Sequence, residues 1–499
     1  MLEAASLFTD GAVFARDREI RIFGRAGSGQ IVEAFLEDDG GRFLAEGKAE
    51  ARDGRFLVCL PPQTVRTGCR LRLISGGEER TAADIAIGDV YLAGGQSNME
   101  MELRNAAGGA EQAEEDPLLR FYNVPRKAVV NSEQQQAVRE TRWQPVTRET
   151  AGFNSAAATI FGIRMRRKHP EIPVGIIGCY WGGTSVTCWM DEETLRTMTE
   201  GIRYLDTYAQ ACSGKSLETW LEEEKAFQQG MEDWNRKAEA YRAEHPEADI
   251  GEVESALGVF PWNPPAGPGS PYRPAGLAES MLKEIAPVQL TAVLYYQGEE
   301  DTWKTEQYDL LLTALIRYWR KIFRNPELPF LFVQLPMWIP WNGEDTFTWA
   351  RTRLAQAAVR DSVRNTGMIC LLDEGEYGNI HPLNKRPGGE RLAELAGKML
   401  FGRGEESPRA TEKRADGSTL VIRTTQTLHT RDGAAPKLLE IAGADGVFVP
   451  AEGEIADGIL RIYAKEVPLP GSVRYAWTDW SDQANLAGPN GLPLEPFWL

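Results

Sequence analysis

The chain has 499 residues, 42 % of them hydrophobic, with a formal net charge of −17 and a pI of about 5.0. Such a length implies several domains, each able to bury its own core. The acidity argues against recognition of nucleic acid through its phosphates and against a polybasic membrane patch, and makes a small neutral or locally charged molecule the better partner.

The opening stretch, "MLEAASLFTDGAVFARDRE", lacks the basic start and apolar run of a signal peptide, and no later stretch is long and apolar enough to cross a bilayer. The expected location is cytoplasmic. Up to about Asp84, short apolar runs ("REIRIFGRAG", "QIVEAFLED", "GRFLVCLP", "RLRLISGG") alternate with Gly, Asp and Pro clusters, the pattern of a small β-sandwich over residues 1–84. Cys59 and Cys69 lie here, and Cys179, Cys188, Cys212 and Cys370 follow; their contexts are mostly apolar and their spacing does not suit a metal. They are expected to be reduced core thiols, with a Cys59–Cys69 bridge across a hairpin as the alternative.

From Ile87 the texture changes. Near-continuous apolar runs of strand length recur in "GDVYLAGG", "IPVGIIG", "LTAVLYYQ", "PFLFVQLP" and "GMICLLDE", and helical patterns such as "AAATIFGIRMRRK" and "YDLLLTALIRYWRKIF" lie between them. This alternation predicts an α/β domain over 85–404, an open doubly wound parallel sheet covered on both faces. A helical insertion interrupts it at about 191–287; Leu217, Trp220, Leu221, Phe227, Met231, Trp234, Ala238 and Tyr241 recur at helical spacing, with Ser216 as N-cap and Pro246 beyond the end. After about Gly404 the short-strand texture returns, and 405–499 reads as a second β-domain.

In open α/β sheets, ligands sit outside the carboxyl ends of the strands. In chain order those ends carry Ser97 in "GGQSNMEM", Gly182 and Gly183 in "CYWGGTS", Gln297, Glu299, Glu300 and Asp301 in "QGEED", a tryptophan-rich loop with Trp338 and Trp341, and His381 in "GNIHP". A hydroxyl, a glycine pair, a carboxamide, carboxylates and an imidazole are the parts of an acyl-transfer site. Histidine suits the role of base, and of the four, His169 and His245 precede prolines in charged surroundings and His429 lies in the C-terminal β region, so only His381 sits at a predicted strand end of the α/β domain, where a surface-turn role before Pro382 is the alternative. The Ser97 N–H, the Gly182 N–H and the Gln297 side chain are candidate oxyanion donors. Glu300 and Asp301 read as a solvated acidic helix start. Trp181, Trp338 and Trp341 suit either core packing or stacking on a sugar ring.

"GDVYLAGGQSNMEM", "WGGTSVTCW", "YYQGEEDT" and "IHPLNKRPGGERLA" together resemble the successive blocks of the sialate O-acetylesterase family, within the SGNH (GDSL-like) hydrolases. The resemblance implies a flavodoxin-like sheet flanked by N-terminal and C-terminal β-domains, and a metal-free, cofactor-free esterase. Its substrate would be an O-acetylated sugar or oligosaccharide, sialic acid or a plant polysaccharide such as xylan. It further implies Ser97 as nucleophile, Gly182 and Gln297 in the oxyanion hole and His381 as base. Two features depart from the SGNH pattern: Gln297 stands where the broader group has an Asn, as in the carbohydrate-esterase branch, and the orienting acid of Asp-x-x-His is replaced by Gly378. Glu299 is the first choice for that role, by likeness to acetyl xylan esterases; Asp373 and Glu374 are the alternatives. The same departure motivates a different reading, a catalytically inactive carbohydrate-binding protein on a hydrolase scaffold. The sequence leaves open whether the chain forms a homo-oligomer.

Overall fold

The structure, a computed structural model, describes residues 1–128, 141–248, 250–341 and 343–499. Asn342 of the tryptophan-rich loop therefore lies outside the described residues. The chain divides into two compact units. The first comprises Met1–Leu221, Ala266–Gln297 and Thr313–Leu331; the second comprises Glu222–Pro265, Gly298–Leu312 and Phe332–Leu499.

The first unit is organised by one long strand, β1 (Glu78–Gly95). Its early residues pair antiparallel with Arg66–Ser75, which in turn pairs with Ile31–Glu37; the latter also pairs with Phe43–Glu50. A smaller sheet of Glu3–Ala4, Ile20–Arg25 and Arg55–Leu60 completes the N-terminal β region. The same β1 then runs on without a break into the α/β sheet, so residue 84 falls inside a strand. The alternating burial of Ile31–Glu37 changes along β1 to an uninterrupted buried run from Ile85 to Gly95, as expected where a strand passes from a one-sided to a two-sided sheet.

Beside β1 lie β2 (Asp116–Asn123), β3 (Gln144–Val146), β4 (Val174–Tyr180), β5 (Ala292–Tyr296) and the start of β6 (Phe330–Val333), in the order β3-β2-β4-β1-β5-β6. β4 is parallel to both β1 and β2, β5 is parallel to β1, and β3 is antiparallel to β2. The sheet is therefore mixed. β2 and β3 are additions that the hydrophobic pattern does not disclose, because β2 is interrupted by Arg120. That guanidinium is only 5 % exposed; it binds the Asp84 carboxylate at 3.0 Å and the carbonyls of Gly11 and Pro117 at 2.9 Å. Helix Ala156–Lys168 leads into β4 as expected, its N-terminus capped by the Ser155 hydroxyl, which accepts from the Ala158 N–H at 3.2 Å.

In the second unit the end of β6 is followed by β7 (Thr366–Ile369) and the helices Thr348–Ser362 and Arg386–Phe401. Its C-terminal residues form two antiparallel four-stranded sheets and a two-stranded one. Their core joins Leu420, Ile422, Ile441, Leu460 and Val473 with Met337, Cys370 and Leu372. The insertion supplies helix Leu217–Glu244, capped by Ser216, whose Oγ accepts from the Thr219 N–H at 3.1 Å. All six cysteines are free thiols, which removes the Cys59–Cys69 bridge. They are not uniformly core residues: Cys59 is exposed and Cys212 half-buried. No described helix is long and apolar enough to cross a membrane.

Candidate active site

In the first unit, β1 ends on Gly94 and Gly95, and both glycines are required by close packing. A Cβ on Gly94 would meet Trp319 at 2.6 Å, and one on Gly95 would lie 2.1 Å from the Tyr296 carbonyl oxygen. Gly95 also has φ of +134°, a conformation that disfavours side chains. The chain then turns sharply into a single helical turn, Ser97–Glu100, which begins on Ser97 itself. The strand ends at Gly95, and Ser97, the first helical residue, emerges half-buried at the sheet end.

Around Ser97 the structure gathers the expected groups of this unit. A Cβ on Gly182 would meet the Ser97 Cβ at 3.3 Å, so the turn after β4 closes directly on the serine. Gln297 is 1 % exposed and donates from Nε2 to the Gln96 side-chain oxygen and to the Thr184 carbonyl, both at 3.2 Å. Both amide hydrogens of Gln297 are thus engaged. The Gly182 N–H donates to Oε2 of Glu100. Arg126 meets the other oxygen, Oε1, at 2.5 Å and lays its guanidinium 4.3 Å from the centre of the Trp181 ring. One face of Trp181 is therefore already covered by a cation. Burial pushes the Glu100 carboxyl above its ordinary range, opposed by the Arg126 charge and the Gly182 N–H. Glu100 and Arg126 were not expected as part of the site. The signal for Glu100 was available: three residues after Ser97 on a helical turn is the same face.

In the second unit, His381 sits on a loop stapled by side chains. Asn379 accepts from the His381 N–H at 3.0 Å and donates to Glu376 at 2.7 Å; Glu376 also accepts from the Leu383 N–H at 2.7 Å. The missing Asp has a structural reason. Gly378 has φ of +72°, and a Cβ there would come 3.3 Å from Trp341, so the position serves a turn packed on a tryptophan. Of the alternative carboxylates, Asp373 is saturated by Arg391 at 2.7 and 2.8 Å and by Arg431 at 3.0 Å. Burial opposes its ionisation, but these arginines outweigh burial and hold it below the usual carboxylate range. Glu374 faces Arg391 at 3.3 Å.

The "QGEED" carboxylates are not a solvated helix start. Glu299 is 4 % exposed and Asp301 fully buried, while Glu300 is half-buried. Burial, with the Asp301 charge next, pushes Glu300 up to about 8. The buried cation in this neighbourhood is Lys385, 3 % exposed, which the motif reading passed over. Burial brings its ammonium down to about 8, and Glu299 and Glu376 oppose that fall by attraction. Burial, reinforced by the Lys385 charge, brings the His381 imidazole down to about 4, so it is neutral and able to accept a proton at neutral pH.

The tryptophans divide. Trp338 packs on Trp349 with centroids 4.8 Å apart, and its buried indole N–H has no partner among the described residues. Trp341 meets Tyr377 at 5.3 Å, and Tyr377 meets Trp480 at 5.8 Å. The insertion helix Ile250–Leu257 seats Gly251 so tightly on Trp341 that a Cβ would lie 1.8 Å from the indole. No cluster of described residues has the composition of a metal site.

Residues 238–381 match the sequence model of the family described as carbohydrate esterase, sialic acid-specific acetylesterase. Over 343 residues, 64 % of this chain, it is 23 % identical to the sialate O-acetylesterase of Rattus norvegicus, and over 344 residues 24 % identical to that of Homo sapiens. The matched region spans 58 % and 54 % of the length of those relatives. Across its whole length the fold resembles the crystal structure of a carbohydrate acetylesterase from Xanthomonas citri, with a TM-score of 0.76, 26 % identity and 99 % of that chain covered.

Proposed function

We propose that this chain, a relative of the sialate O-acetylesterases and carbohydrate acetylesterases, is a carboxylic ester hydrolase that removes acetyl groups from O-acetylated sugars with Ser97 as its nucleophile. The observation that carries the reading is the setting of Ser97: a hydroxyl on a glycine-broken turn, closed on by the Gly182 turn and backed by the buried Gln297 carboxamide. The strand order β4-β1-β5-β6, second-first-third-fourth of the five expected strands, supports the flavodoxin-like SGNH form of the fold.

In this reading His381, neutral at working pH, takes the Ser97 proton as Oγ bonds to the acetyl carbonyl carbon. The carbonyl oxygen becomes an oxyanion, stabilised by donors from the Ser97 N–H and the Trp181–Gly183 turn; the Gln297 carboxamide, expected as a further donor, has both its hydrogens on Gln96 and Thr184 and backs the turn instead. The C–O bond to the sugar breaks, and the imidazolium returns its proton to the departing sugar oxygen. Water, deprotonated by His381, then attacks the acetyl-Ser97 carbonyl; acetate leaves and the hydroxyl is restored. Glu299 orients the imidazole and supports its positive charge. Its burial and the commitment of Asp373 to two arginines favour it over the alternatives.

The test is hydrolysis of p-nitrophenyl acetate, and acetate release from O-acetylated sialic acids and xylo-oligosaccharides, by wild type and Ser97→Ala. The expected outcome is turnover by wild type and a loss of about 10⁴-fold or more in the variant. Equal turnover by the two proteins excludes Ser97 as nucleophile. Glycan binding by both without turnover by either supports an inactive scaffold instead.

A further inference from the structure

The amide expected to bind the oxyanion is occupied. The Gly182 N–H donates to Glu100, whose second oxygen is pinned by Arg126 at 2.5 Å. A carboxylate anchored at both oxygens is a poor neighbour for a developing negative charge if it competes for the same hydrogen. The next amide is differently placed. Gly183 occupies the φ-positive position of the tight turn, at +69°, which glycine permits. Its N–H belongs to the central peptide of that turn, the one whose hydrogen a turn does not use internally. It makes no hydrogen bond to any described residue. It is covalently adjacent to Gly182, whose Cβ position is 3.3 Å from the Ser97 Cβ. The Thr184 hydroxyl secures the turn from the other side by donating to the Trp181 carbonyl at 2.7 Å.

We propose that the oxyanion donor of this turn is the Gly183 N–H, and that Glu100 is a positioning residue which, by holding the Gly182 N–H, aims the Gly182–Gly183 peptide at the reacting carbonyl. The inference rests on the reading of Ser97 as nucleophile. It assigns the fourth motif residue after Gln96 a specific duty: an ion-paired carboxylate that orients a backbone dipole rather than touching substrate. Arg126, stacked on Trp181, holds that carboxylate in place.

The experiment compares kcat and KM for p-nitrophenyl acetate, and inhibition by methylboronic acid, whose adduct with a serine hydroxyl mimics the tetrahedral oxyanion. The proteins are wild type, Glu100→Gln, Glu100→Ala and, as reference, Ser97→Ala. Loss of one oxyanion donor's alignment costs about 100-fold in kcat. Glu100→Ala is expected to lose kcat on that order with KM little changed, and to bind the boronate correspondingly less tightly. Glu100→Gln, which keeps an oxygen acceptor for the Gly182 N–H, is expected to recover most of the loss. Glu100→Ala as fast as or faster than wild type, with Ser97→Ala inactive, overturns the positioning role while leaving the nucleophile intact; it would mean that Glu100 blocks the Gly182 N–H and must move aside. A crystal structure of the boronate adduct in which Gly182 N–H rather than Gly183 N–H meets the boronate oxygen overturns the donor assignment. Full activity of Ser97→Ala overturns the reading beneath both.

Discussion

The surroundings of Ser97 and those of His381 are built by opposite means. Ser97 is placed by backbone: Gly95 lets a strand end against a carbonyl, Gly182 lets a turn touch the serine, and the buried polar groups nearby are mostly neutral amides that satisfy one another. His381 is placed by side chains: Asn379 and Glu376 staple its loop, and a buried charge, Lys385 attracted by Glu299, acts on its imidazole. Backbone placement fixes position. Burial, with the charge beside it, sets protonation state. A nucleophile needs the first and a base needs the second, because a hydroxyl has no useful titration near neutrality whereas an imidazole does.

The sharpest way to break this contrast is Gly95→Ala. A Cβ there meets the Tyr296 carbonyl oxygen at 2.1 Å, and φ of +134° is itself strained for alanine. Together these are expected to cost about 3 kcal/mol or more of stability, read as a lower midpoint in urea unfolding. Retention of wild-type stability would show that Ser97 is not held by close packing of the strand end.

Next in size is the effect of removing charge beside His381. Lys385→Met takes away a positive neighbour that helps lower the His381 pKa to about 4. A base must be neutral to act, so wild-type activity should persist well below pH 6 and fall only near pH 4 to 5. Without the lysine charge the imidazole binds protons more readily, and the acidic limb of the kcat/KM profile should move upward by about one pH unit. An unshifted limb would show that burial alone sets the His381 protonation state. The smallest effect is expected at the ring cluster of Trp341, Tyr377 and Trp480. Trp341→Ala should raise KM for an O-acetylated sugar by about threefold to tenfold, with p-nitrophenyl acetate hydrolysis nearly unchanged. Equal effects on both substrates would make Trp341 a packing residue only.

The same contrast explains what could be read from the chain beforehand. The five apolar runs became strands and the helix "AAATIFGIRMRRK" formed where its period placed it, because burial on both faces writes itself as uninterrupted apolar sequence. β2 escaped because its buried Arg120 is satisfied by carbonyls distant in sequence, which local pattern does not reveal. The Ser97, Gly182 and Gln297 arrangement was legible as glycine breaks and strand ends. Glu300 and Asp301 were misjudged because an acidic run after a glycine looks solvated; only the fold shows Asp301 fully enclosed. Lys385 was invisible for the same reason: lysine is ordinarily a surface residue, and its burial depends on groups that local sequence does not bring together.

The central claim, that Ser97 is the acylated residue, is tested most directly by covalent labelling. Wild type treated with diethyl p-nitrophenyl phosphate should lose esterase activity in proportion to the gain of one diethylphosphoryl group, mapped by peptide mass to Ser97. Complete inactivation with an unmodified Ser97 peptide, or continued turnover by fully labelled protein, would contradict it.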